Sequence, residues 1–413
     1  MQTTLAPELA NDPRAIAAEA ILRKCVHCGF CLATCPTYNL LGDELDSPRG
    51  RIYLMKQVFE GHTPTEATRT HLDRCLTCRN CETTCPSGVE YGHLVDLGRS
   101  VVEEKVPRTG REKWLRKGIL SVLPYSRRIS PLVKLGQTVR PLLPGFLASS
   151  VPLKQSPGAI PESVHERHML VLDGCVQPSM SPATNASAAR VLDAFGIALK
   201  GAQKSGCCGA VHYHLNEQEK AKNFIRRNID AWWPSVEAGA EAIIVTASGC
   251  GVMVKDYGHV LADDPLYADK ARKVSELACD IVEVLIDVLN DEDVSRYSEA
   301  AAAVGRVAFH APCTLQHGQK LPQVTEALLG RFGFTLTPVA DGHTCCGSAG
   351  TYSIFQPALS KQLKENKVSN LLAGRPDVIA TANIGCQLQI QGGANQSVVH
   401  WIELVDRVVT AQV

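Results

Sequence analysis

The chain has 413 residues, and its 17 cysteines fall into two populations by spacing. Eight form the runs Cys25-x2-Cys28-x2-Cys31-x3-Cys35-Pro36 and Cys75-x2-Cys78-x2-Cys81-x3-Cys85-Pro86. Three thiolates set two residues apart wrap one iron–sulfur cube, while a fourth, stiffened by its proline, points away toward a second cube. The spacing predicts two [4Fe–4S] clusters with crossed ligation. Cys25, Cys28, Cys31 and Cys85 would hold one, and Cys75, Cys78, Cys81 and Cys35 the other. Such an exchange makes the clusters folding staples and keeps them close enough to share an electron. A pair of structural zinc sites is the plainer alternative, but zinc knuckles gain nothing from a third step and a Cys-Pro.

The other nine cysteines lie between Cys175 and Cys386. Cys175, Cys207-Cys208-Gly209 and Cys250 recur as Cys313, Cys345-Cys346-Gly347 and Cys386, at offsets of 138, 138 and 136 residues. Matched three-part spacings indicate a duplicated domain. Each copy can bring four thiols to one pocket, with glycine permitting the tight turn after the vicinal pair. Cys175, Cys207, Cys208, Cys250, Cys313, Cys345, Cys346 and Cys386 are therefore candidate redox or metal residues. The bland reading is a buried turn of small apolar side chains. Cys279 lies outside the repeat, in an apolar stretch over 274–289 that reads as helix, and is expected in the core.

Helices must carry the first population. Asp12-Pro13 and Ser47-Pro48 are caps followed by proline at the first helical position, and Thr63-Pro64-Thr65-Glu66 reads as a capping box. In the first copy of the repeat, short buried strands at 169–175, 197–200 and 242–250 alternate with helices at 181–195 and 216–236. Matching strands fall at 306–313 and 377–386, which predicts a mainly parallel sheet in each copy with the cysteines at the carboxyl ends of strands. The fold expected is α+β and multi-domain. A helical ferredoxin-like two-cluster domain (1–106) leads through a Pro-rich basic linker (107–166), with short helices at best, to two α/β Cys-Cys-Gly domains (167–300 and 301–413).

Composition narrows the function. Lys plus Arg and Asp plus Glu both number 42, which does not suit a nucleic-acid binder. The longest nearly apolar run, 242–254, is too short to span a bilayer. The first residues lack the pattern of a signal peptide, so a cytoplasmic protein is expected. Residues 105–140 hold ten Lys or Arg and one acid, Glu112, interleaved with Trp114, Leu115, Ile119 and Leu132. That pattern suits an anionic membrane surface or a partner subunit equally. His212, Tyr213, His214 and Tyr352 follow the two Cys-Cys-Gly turns, where a surface or capping role competes with proton relay or quinone binding. No nucleotide fingerprint, Walker loop or catalytic triad signature is visible, so catalytic residues for a small substrate are unknown.

The repeated motif resembles the cysteine-rich domains of heterodisulfide-reductase-type proteins. There the motif continues C-x-x-C and can hold a non-cubane cluster. Here the closing positions are Met253 and Gln389, so a smaller cluster, a metal or a thiol pair remain open. The whole layout is similar to that of glycolate oxidase iron–sulfur subunits. The resemblance is carried by Cys25-Val-His-Cys-Gly-Phe-Cys, Pro48-Arg-Gly-Arg-Ile-Tyr, Cys75-Leu-Thr-Cys-Arg-Asn-Cys and His343-Thr-Cys-Cys-Gly-Ser-Ala-Gly-Thr-Tyr. It implies an electron-transfer subunit of a membrane-associated oxidoreductase. FAD would sit on partner subunits that oxidise glycolate to glyoxylate, a membrane quinone would be the acceptor, and this chain would have no substrate site of its own. An equivalent subunit for lactate or glycerol 3-phosphate, or a redox sensor without turnover, are the rivals.

Overall fold

The computed structural model describes residues 1–142, 144, 151–162, 164–289 and 294–411; the rest of the expected linker lies outside the described residues. The N-terminal region is helical. Helices Pro13–Lys24, Pro36–Leu41 and Pro48–Phe59 each start on proline, whose fixed φ and missing N–H suit the first helical position. Asp12 caps the first by accepting from the Arg14 amide, and Ser47 caps the third by accepting from the Gly50 amide. The capping box before helix Glu66–Asp73 closes between Thr65 and Thr68, two residues later than the sequence suggested, so Glu66 becomes the first helical residue. Leu22, Met55, Phe59, Leu72 and Leu94 from these helices and from Tyr91–Lys105 form the core between them.

Residues 107–142 are more ordered than the linker reading expects: helices Gly110–Val122 and Ser126–Val139 run for 13 and 14 residues. Pro107 and Pro124 fall outside the helices, so only Pro131 interrupts a hydrogen-bond ladder. Arg108 ties the segment down by pairing with Asp73 at 2.7 Å and Glu103 at 2.8 Å.

Two four-stranded parallel sheets follow. β1 (Arg167–Val171), β2 (Ile197–Gly201), β3 (Ile243–Val245) and β4 (Ala278–Asp280) lie in the order β2-β1-β3-β4. β5 (Arg306–His310), β6 (Thr335–Leu336), β7 (Val378–Thr381) and β8 (Ser397–His400) repeat it as β6-β5-β7-β8. In each sheet the chain reverses direction across the sheet between the first and third strands, leaving the crevice where parallel sheets bind ligands. Cys175 and Cys313 follow β1 and β5 at that crevice.

Three readings need correction. Cys250 and Cys386 are not strand ends. They sit in the first turns of helices Ser248–Lys255 and Ile384–Gln391, each of which begins three residues beyond the end of its strand, β3 or β7. An unbroken apolar run suits a buried strand and a buried helix alike. Cys279 is likewise not helical. It pairs with Ile244 in β4, because Asp280 starts a new helix, Ile281–Val288, with a capping box to Glu283. The helix expected from 181 begins only at Ala183, and the Ser181 hydroxyl turns instead to Thr184 and to Glu403 of the other copy.

The two copies are fused. One apolar core runs from Val191 and Ile244 of the first to Phe309, Trp401 and Val405 of the second. Helix Ala183–Ala194 packs on helix Trp401–Thr410, where Asp406 accepts from Ser187 at 2.8 Å and pairs with Arg190 at 2.6 Å. Two substitutions test these joints. Asp406→Ala leaves Arg190 without its carboxylate and is expected to cost about 2–3 kcal/mol, read from the urea midpoint of circular dichroism. In Gly50→Ala, a Cβ would stand 1.9 Å from the Glu44 carbonyl oxygen, so the turn carrying Asp46 must move. About 1–3 kcal/mol should be lost in the same measurement.

Candidate functional site

The two N-terminal cysteine loops share an unusual backbone. His27 (φ 57°) and Gly29 (φ 85°) in one, Thr77 (φ 52°) and Arg79 (φ 59°) in the other, are left-handed at matching positions. Each non-glycine residue so held costs on the order of 1–3 kcal/mol, a strain that marks functional turns. The twist curls the loop inward, and the Thr77 amide donates to the Cys75 sulfur at 3.3 Å. All eight thiols are free.

The fold brings them together in two groups. Cys25, Cys28, Cys31 and Cys85 line an apolar cavity with Val26, Phe30, Ile52 and Tyr91, and Cys81 closes its inner side. Burial pushes the Cys31 thiol up to about 11, and Cys25, Cys28 and Cys85 push the same way. Cys78 and Cys81 lie deeper. Burial holds both well above an ordinary thiol, and their thiol neighbours include Cys75 and Cys35. Thiolates this crowded stay ionised only with cations among them, and iron would supply that charge. Behind this group lies a buried charge centre. Arg51 reaches Thr37 at 3.0 Å, Asp46 at 3.2 Å and the His71 carbonyl at 2.7 Å, and Thr37 stands 3.4 Å from the Cys35 sulfur.

The inner group abuts the repeat. Cys78 and Leu76 pack against Cys313, Cys345 and Tyr352. Beyond them a cavity of 1360 Å³ is lined by Cys75, by Cys175, Cys207, Cys208 and Cys250, and by Cys313, Cys345, Cys346 and Cys386. Both copies therefore face one chamber, with Arg69, Arg99 and Arg116 also at its wall. Cys313 and Cys345 are 3.9 Å apart, and the Gly347 amide donates to the Cys345 sulfur at 3.4 Å. Gly347 has φ 83°, and a Cβ there would meet the Ser360 carbonyl oxygen at 2.6 Å, so no other residue fits the turn.

The closing positions contribute no fifth thiolate and have other tasks. Met253 is buried in the core beside Cys208, and the Gln389 amide donates to the Ser360 hydroxyl at 2.8 Å. His212 is buried and stacks on Phe224 at 4.9 Å; His214 pairs with Asp96 of the N-terminal domain at 3.1 Å. Tyr352 is buried at the chamber wall, and burial raises its hydroxyl. One residue escaped the sequence reading: His310, at the end of β5, places a ring nitrogen within 4.8 Å of the Cys346 and Cys386 sulfurs. Its one sequence signal is a histidine three residues before Cys313, which the first copy lacks.

Residues 21–89 match the 4Fe-4S dicluster domain family, and residues 169–255 and 307–391 match the cysteine-rich domain family. The glycolate oxidase iron-sulfur subunit of Escherichia coli (strain K12) is 55% identical over 98% of this chain and 99% of its own length. This chain belongs to the glycolate oxidase iron–sulfur subunit family. A probable glycolate oxidase iron-sulfur subunit of Bacillus subtilis (strain 168) is 30% identical over 94% of the chain and 92% of its own length. Lactate utilization protein A of an Exiguobacterium strain is 27% identical over 53% of the chain. As in its family, the N-terminal domain carries two [4Fe–4S] clusters, and the chain is the iron–sulfur component of an oxidoreductase.

The joint between this two-cluster domain and the repeat is electrostatic. Asp256 lies 2.7 Å from Arg79 and 3.5 Å from His93. Burial opposes the Asp256 carboxylate, but His93 and Arg79 outweigh it and draw its pKa down to about 2. His93 is half-buried, which works against its charged form, yet Asp256 raises it above the usual 6.5. The Asp256 contribution is complete above about pH 4 and fades as pH falls toward 2. The His93 contribution is complete below about pH 6.5 and fades as pH rises through its raised value. Glu82, which burial pushes up, contributes stability that is complete below about pH 4.5 and is lost as pH rises through its raised value, so this loss begins before that of His93. Amides of helix Tyr257–Val260 should thus be best protected from hydrogen exchange near pH 4–4.5 and lose protection progressively above it, the His93 share going last. Asp256→Asn should remove the acid limb, worth about 2 kcal/mol.

Proposed function

We propose that this chain is the electron-transfer subunit of a complex that oxidises glycolate to glyoxylate. FAD-binding partner subunits hold the substrate, and a membrane quinone accepts the electrons. The ligand sets are Cys25, Cys28, Cys31 and Cys85 for one cluster and Cys75, Cys78, Cys81 and Cys35 for the other. Bound there, the clusters supply one-electron chemistry, which a flavin couples to the two-electron oxidation of a hydroxyl.

The observation that carries this reading is the unequal depth of the two thiol groups. Cys28 is exposed, beside Val26 and Phe30, which are 67% and 65% exposed. The Cys78 and Cys81 group is walled in by the repeat. One group is thus presented to a partner and the other set back against the repeat, as a relay between two redox centres requires. Arg51 and Arg99 set positive charge beside the inner group; Arg99 donates to the carbonyls of Leu72 and Cys75 at 2.7 Å.

The basic helices Gly110–Val122 and Ser126–Val139 supply an attachment face. Trp114 is 72% exposed and Leu135 61%, while Arg108 and Arg116 turn inward to Asp73 and Glu112. Among the described residues no helix is long and apolar enough to cross a membrane. We assign the chain to the cytoplasm, peripheral to the membrane through this face, and expect it to float with anionic liposomes.

Two measurements test the proposal. The anaerobically purified chain should be brown, hold about eight irons, and lose about four in Cys31→Ser. Co-purified with its flavoprotein partners, it should support dye reduction faster with glycolate than with lactate or glycerol 3-phosphate. A flavin-free homo-oligomer, or a preference for lactate, would overturn the substrate reading.

A further inference from the structure

The two copies of the repeat are not chemically equal, and the difference lies at one position. His310 ends β5 and is 1% exposed, and neither ring nitrogen has a hydrogen-bond partner. An imidazole orphaned in this way costs roughly 1–3 kcal/mol, so such a group calls for a partner. The ligand atoms nearest in kind are sulfurs: a ring nitrogen of His310 and the Sγ atoms of Cys346 and Cys386 all lie within 4.8 Å of one another, and all three residues are buried. In the first copy the Cys175–Cys313 offset puts Leu172 at this position. Leu172 is buried in an apolar core together with Cys208, the counterpart of Cys346. The same fold thus presents an imidazole and two thiols in one copy, and hydrocarbon and two thiols in the other.

The surroundings are arranged around the sulfurs. Asn383 Nδ2 donates to the Cys386 sulfur at 3.5 Å, as an outer residue does when it orients a thiolate ligand. Lys367, buried behind the turn, donates to the Asp341 carbonyl at 2.7 Å and sets an ammonium near the vicinal pair. Cys346 and Cys386 also line the chamber, whereas His310 lies behind them.

We propose that the second cysteine-rich domain, and not the first, binds one soft divalent cation of the zinc class through His310, Cys346 and Cys386, with its fourth position toward the chamber. Two thiolates and an imidazole are a zinc-type donor set, and three protein ligands leave zinc one open place. The site is distinct from an all-thiolate cluster because its third donor is nitrogen.

The test uses the full chain with its iron in place, equilibrated with zinc sulfate and dialysed. About one zinc per chain should remain. Absorption at the zinc edge should show two sulfurs at ~2.3 Å and nitrogen at ~2.0 Å. His310→Ala should weaken zinc retention by a factor on the order of 100 with the iron count unchanged. His310→Cys should restore retention with a third sulfur in the zinc shell. No retained zinc, zinc in an all-sulfur shell, or equal retention by a folded His310→Ala variant would overturn the proposal. So would iron above about eight per chain that falls in Cys346→Ser. The absorption measurement on the unaltered chain decides even if no variant folds.

Discussion

Two thiolates 4 Å apart repel by about 4 kcal/mol at an effective dielectric near 20, unless a cation lies between them. Apart from Cys279, the cysteines of this chain gather in clusters, with Cys313 and Cys345 3.9 Å apart, so the fold is organised around the charge these sulfurs would carry. The left-handed turns at His27 and Thr77 are tolerable only because they converge thiols onto a metal-sized space. Arg51, paired with Asp46 in the interior, places lasting positive charge where the inner group most needs it. Remove the inorganic cores and these features become liabilities: strained turns, buried thiols and a buried guanidinium.

That dependence explains the division of the molecule. The two-cluster domain leaves one thiol group near the surface and presses the other against the repeat. The repeat in turn offers a chamber walled by eight more cysteines. Parallel sheets deliver side chains to one end, and fusing two of them across a common core points both ends at the same space. The Asp256–Arg79–His93 contact keeps this chamber in register with the inner group.

Much of this was legible in the chain because ligand spacing is local. The eight N-terminal cysteines, the proline-led helices and the duplicated motif all rest on residues near one another in sequence. What escaped depended on distance or on ambiguity. The run 242–254 reads equally as strand or helix, and reading it as strand puts Cys250 one element early. Cys279 looked helical because the three-residue β4 between two helices leaves no alternation to detect. His310 meets Cys346 and Cys386 only after β5 and β7 pair, with His310 beside Thr381. The helices over 110–139 were hidden by prolines, which punctuate these helices more than they break them.

The grip of Ser187 and Arg190 on Asp406 spans 219 residues of chain. At roughly 5–20 residues per second, a ribosome needs about ten to forty-five seconds to cover that interval. Throughout it, the face of helix Ala183–Ala194 that helix Trp401–Thr410 covers stays bare. The ten residues of helix Trp401–Thr410 are what seal it, so a nascent chain of this kind must keep that face from its neighbours until they emerge.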